Sequence, residues 1–127
     1  MSEVVLDASA VLALLNQEPG GEIVAQFIEQ ASISAVNFSK VVTKLAEAGT
    51  PEEAIAQILD NLSLEIISFE KTQAVRAGML RPLTRSLGLS LGDRACLALG
   101  LYLNQPIITT DRQWASLNLE IEIRVIR

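Results

Sequence analysis

Twice in this chain a short apolar run ends abruptly on an aspartate. The first is Val4-Val5-Leu6-Asp7 and the second is Ile107-Ile108-Thr109-Thr110-Asp111, and a helix-like segment follows each. Two further apolar runs, residues 33–36 and 64–69, lie between them, again followed by apolar residues at helical spacing. A last run covers residues 121–126. Strands alternating with helices predict an α/β fold whose mainly parallel sheet is covered on both faces. Right-handed crossovers put the C-terminal ends of all strands on one rim. In open sheets of this class ligands bind outside those ends, where the strand order reverses. Asp7 and Asp111 both fall on that rim.

The helical segments carry their own punctuation. Residues 8–16 have Leu12 and Leu15 spaced for one face and stop before Pro19-Gly20-Gly21, and residues 22–31 place Ile23, Phe27 and Ile28 inward. Asn37 reads as the N-cap of a helix ending near Ala48 and Gly49, and Thr50 as the N-cap of the next, with Pro51 at its first position. The segment from Glu70 to about Ser86 contains Pro82, which predicts a kink or a split. Ser90-Leu91-Gly92-Asp93 has the form of a capping box for a helix running to Leu103, and a short helix passes through Trp114. No linker or repeat divides the chain, so one domain is expected over residues 1–127.

Composition removes most chemistries. There is no histidine, which excludes Ser-His-Asp and Cys-His nucleophile pairs, imidazole acid–base catalysis and the usual zinc ligand sets. The single cysteine, Cys96, cannot form an internal disulfide and sits in the apolar run ACLALGLYL, where it reads as a small buried hydrophobe. The N-terminus lacks the basic region and long apolar stretch of a signal peptide, and no segment approaches the ~20 apolar residues that span a bilayer. A cytoplasmic protein without membrane association is expected. The net charge of −5 opposes passive nucleic-acid binding, which depends on Lys/Arg contacts with phosphates. An enzyme of this composition has carboxylates and a hard cation as its best remaining means.

Three acids stand at helix starts. Asp7, Asp93 and Asp111 each have an ordinary explanation as a capping residue. On one rim, however, they would face one another, and like charges a few ångströms apart disfavour each other's ionised form unless a cation sits between them. Magnesium, which takes one or two carboxylates and keeps positions open for phosphate oxygens, is the natural partner of such a set.

The blocks VVLDASAVLALL, SAVNFSKVVTKL, GLSLGDRACLALG and IITTDRQWASL, in this order across the whole chain, closely resemble the PIN domain. Within it they resemble the VapC-type toxins of bacterial toxin–antitoxin pairs. The resemblance implies a three-layer α/β/α sandwich with a four- or five-stranded sheet, and endoribonuclease activity dependent on Mg²⁺ or Mn²⁺. Matched by position, Asp7, Asp93 and Asp111 correspond to the metal-holding catalytic acids. The implied chemistry is metal-assisted hydrolysis of an RNA phosphodiester, which requires no side-chain base or nucleophile. The implied partners are RNA, a cognate antitoxin protein and a second copy of the chain in a homodimer. Beside the acids, Ser9 is placed to orient Asp7 or a bound water, while Arg94 and Arg112 could contact phosphate or form exposed salt bridges. Thr109 and Thr110 are weaker candidates of the same kind. Glu47 reads as a surface acid.

Lys40 departs from the family pattern, which has glutamate at this position. With Asn37 as N-cap, residue 40 would be the third helical residue, where glutamate completes a capping box and a cation opposes the helix dipole. Either Lys40 points outward as a solvated charge, or its ammonium enters the acidic pocket and neutralises it in place of a metal. The second case weakens or abolishes hydrolysis. A catalytically silent PIN-like binding or regulatory domain is therefore the competing function. A phosphotransfer receiver or aspartyl-phosphate phosphatase is disfavoured, because Asp7 is followed by Ala8-Ser9 rather than an Asp-x-Asp motif.

Overall fold

A computed structural model describes residues 2–127. β1 (Val4–Leu6) leads through α1 (Ala8–Leu15) and α2 (Gly21–Phe27) to β2 (Ala31–Ser34). Helices α3 (Ala35–Glu47) and α4 (Glu52–Asp60) continue to β3 (Glu65–Ile67). The chain then returns through α5 (Lys71–Met79), α6 (Arg81–Thr84) and α7 (Leu91–Leu103) to β4 (Ile107–Thr109), and a 3-10 turn at Arg112–Ser116 precedes β5 (Ile123–Val125). All five strands are parallel, in the order β3-β2-β1-β4-β5. The order reverses between β1 and β4, so the ends of these two strands flank the crevice where ligands bind in sheets of this class.

The sheet is buried on both faces, which is why its strands read as continuous apolar runs. On β1, Val4 and Leu6 pack with Val11, Val24, Val41 and Ile108, beneath α1 to α4. Val5 points the other way, into a second core with Leu97, Leu99, Ile107 and Trp114. Each such side chain removed from water contributes about 1.5–3 kcal/mol. Close approach of α7 to β4 requires Gly100: a Cβ there would stand 2.5 Å from Ile107 Cδ1.

Several boundaries differ from the sequence reading. Strand β2 ends at Ser34, paired with Ile67, and Ser34 caps α3 by accepting from the Val36 amide at 3.2 Å. Asn37 is thus inside the helix, and Lys40 lies in its second turn rather than at the third position. The expected conflict of Lys40 with a capping box does not exist, since its premise was the wrong cap. Pro51, not Thr50, occupies the N-cap of α4, without a side-chain cap. In α2 the buried residues are Gly21 and Val24, with Ile23 and Phe27 only partly covered. The segment around Pro82 is split, as its fixed ring demands, into α5, α6 and a 3-10 turn.

Candidate active site

Asp7 caps α1 directly after β1 and is only 5% exposed. Its Oδ1 accepts from the Ala10 amide at 2.9 Å and the Ser9 hydroxyl at 2.7 Å, and its Oδ2 accepts from the Thr109 hydroxyl at 2.6 Å. Each hydroxyl is also an acceptor: Ser9 Oγ takes the Thr110 amide at 3.1 Å, and Thr109 Oγ1 takes the Asp111 amide at 3.1 Å. A hydroxyl has one proton to give, so these backbone bonds fix the direction of both toward Asp7. The end of β4 is thereby joined to the carboxylate at the end of β1. Burial pushes the Asp7 carboxyl above its ordinary range, against the Thr109, Ser9 and Ala10 bonds that favour the ion; the charge of Asp93 pushes it further up.

Asp93 enters the same mouth from the first turn of α7. The capping box is complete: Ser90 Oγ accepts from the Asp93 amide at 3.2 Å, and Asp93 Oδ2 accepts from the Ser90 amide at 3.0 Å. The starts of α1, α3 and α7 are locked together by a residue the sequence reading took for an N-cap. Buried Asn37 accepts the Ala8 amide at 3.2 Å through Oδ1 and donates from Nδ2 to the Gly92 carbonyl at 2.9 Å. An asparagine flanked by apolar residues is too common a pattern to reveal that role in advance. Thr109, ranked below Ser9 from the sequence, is its equal here.

Lys40 turns inward. Its ammonium stands 3.8 Å from Asp93 Oδ1, and its stem lies on Gly92, where an added Cβ would fall 2.8 Å from Cδ and 3.2 Å from Nζ. The Lys40 side chain is 45% exposed, so the pair adds at most about 1 kcal/mol to stability. Its effect is on the field of the mouth, where it sets a positive charge against Asp93. Asp111 Oδ1 caps the 3-10 turn through the Gln113 amide at 2.9 Å.

The two arginines read from the sequence as phosphate contacts or exposed salt bridges each bond a backbone oxygen. Arg94 crosses to α5 and donates to the Ala77 carbonyl at 2.9 Å, and Arg112 donates to the Arg127 carbonyl at 3.0 Å. In each case a backbone oxygen on a neighbouring segment lies within reach of the guanidinium. Glu47 is a surface acid, 3.7 Å from Lys44, and Cys96 is buried with its thiol pushed well up, chiefly by burial.

With Lys40 in place, this donor set does not fit a resident divalent cation. Asp7 Oδ1 already takes two hydrogen bonds and Oδ2 a third, Asp93 is paired with an ammonium, and Asp111 Oδ1 caps a turn. Among the described residues no three of the His, Cys, Asp and Glu side chains are grouped so as to hold a metal ion.

Comparison with known proteins gives the lineage. No curated protein matches the sequence. Solved structures share the fold at low identity. A chain of DNA-bound VapBC from Salmonella typhimurium superposes with a TM-score of 0.77 at 16% identity, over 100% of both chains. A chain of VapBC2 from Rickettsia felis, bound to a DNA fragment from its promoter, gives 0.75 at 16% identity, over 98% of both chains. A chain of VapBC-5 from Mycobacterium tuberculosis, of the VapBC family of toxin–antitoxin systems, gives 0.63 at 19% identity, over 98% of this chain and 99% of that one. The family whose pattern matches the sequence is the PIN domain, over residues 4–118, which spans β1 through the turn carrying Trp114 and includes all three aspartates. This chain belongs to the PIN domain family.

Proposed function

We propose that the chain is the toxin of a toxin–antitoxin pair, a VapC-type endoribonuclease whose RNA cleavage is weakened by Lys40. The observation that carries this reading is Asp7: a buried carboxylate held by three donors at the point where the strand order reverses. Burying a charge there costs free energy that a mere cap at the surface would not incur. Family membership and the fold shared with VapBC chains support it. In this reading Asp7 and Asp93 form the catalytic mouth, Asp111 borders it, and Ser9 and Thr109 orient Asp7. The cofactor of this chemistry is Mg²⁺ or Mn²⁺, whose binding the lysine opposes. The partners are RNA, an antitoxin protein and a second copy of the chain. No helix among the described residues is long and apolar enough to cross a membrane, and the proposed compartment is the cytoplasm.

The pairing of Lys40 with Asp93 favours a second reading, a silent domain whose acidic mouth binds a partner instead of cutting RNA. Incubating the purified chain and its Lys40→Glu variant with RNA and Mg²⁺ or Mn²⁺ separates the two. Slow cleavage by the native chain, faster cleavage by the variant and none after Asp7→Asn are expected. No cleavage by either of the first two would remove the nuclease reading and leave the binding domain.

A further inference from the structure

Among the described residues, Lys40 is the one cationic side chain paired with either acid of the mouth, and it reaches Asp93 by crossing a position with no side chain. Gly92 is helical, in the first turn of α7, so no unusual backbone angle calls for glycine there. What it provides is room. The Cδ and Nζ of Lys40 occupy the volume that any Cβ at residue 92 would claim. The Gly92 carbonyl meanwhile holds Asn37 of α3, three residues before Lys40, so seat and lysine keep a fixed relation across the two helices.

We propose that the Lys40 ammonium, seated on Gly92, is the built-in cation of this mouth and excludes divalent metal ions from it, with Gly92 as the positioning residue. This rests on the same site as the proposed function and names how that site is regulated. The electrostatics are direct. The ammonium pairs with Asp93 and leaves Asp7 as the uncompensated acid of the mouth, and a divalent ion entering beside Asp93 would meet the ammonium's repulsion. Replacing the lysine with glutamate changes the local charge by two units, in a mouth where Asp7 is buried and screening is reduced.

The test is titration of the intact chain with Mn²⁺ alone, followed by electron paramagnetic resonance of the free ion, with no RNA present. Binding should tighten in the order native, Lys40→Gln, Lys40→Glu, with the last about tenfold or more above the first. Adding Asp7→Asn to Lys40→Glu should cancel the gain. Gly92→Ala should move affinity toward that of Lys40→Gln, because its methyl displaces only the end of a flexible side chain. Lys40 is half-exposed, so its variants keep the fold even if the glycine variant does not. Native affinity equal to that of Lys40→Glu, no gain in either lysine variant, or a gain surviving Asp7→Asn would overturn the proposal. A folded Gly92→Ala protein with native affinity would overturn the role of the seat. A chain that never cleaves RNA can still show this order, and one that cleaves RNA rapidly can still fail it, so the two readings fail separately.

Discussion

The hydroxyl of Thr109 donates to Asp7 at 2.6 Å while accepting the amide of Asp111 at 3.1 Å, so one side chain joins two adjacent strand ends to the buried acid. This bond spans the point where the sheet order reverses and sets the orientation of the carboxylate.

Thr109→Val keeps the shape of the side chain and removes that link. It leaves a buried carboxylate oxygen and the Asp111 amide short of a partner, at a cost of about 1–3 kcal/mol. Urea unfolding should show that loss, and Thr109→Ser should recover most of it. Equal stability of the valine and serine proteins would show that the hydroxyl contributes nothing.

Stability against pH should carry the signature of Asp7. Its carboxyl is raised in the fold, so between the unfolded and folded values the native state holds a proton that the unfolded chain has released. Its contribution is full below the unfolded value and is lost as pH rises through the folded one. Thermal unfolding in chelator, native against Asp7→Asn, should show this descending component in the native protein alone.

Asn37→Ala strands the Ala8 amide and the Gly92 carbonyl in a buried place, and should destabilise by about 2–4 kcal/mol. Chemical denaturation measures it directly. A loss as small as that of a surface substitution would mean that Asn37 does not lock the three helix starts together.

The fold was legible because its signal is repeated: apolar runs ending in Asp7 and Asp111 fix parallel strands, and Pro82 breaks its helix as its ring requires. Local ambiguity defeated the finer reading. Ser34 and Asn37 are both good caps, and only the pairing of Ser34 with Ile67 decides between them. Asp7 and the box of Ser90 with Asp93 were readable because strand end and cap coincide there. The backbone partners of Arg94 and Arg112 were not, since each lies on a segment brought close only by tertiary packing. Nor was the reach of Lys40 to Asp93, which passes over Gly92, 52 positions away in sequence.

In this mouth a lysine holds the position that a divalent cation would take. Crystals of the native chain grown with Mn²⁺ and measured at the manganese absorption edge test it most directly. The account predicts no anomalous peak between Asp7 and Asp93, with the Lys40 ammonium against Asp93, and a peak at that position in Lys40→Glu crystals. A manganese peak on Asp7 and Asp93 in the native chain, with Lys40 swung into solvent, would contradict it.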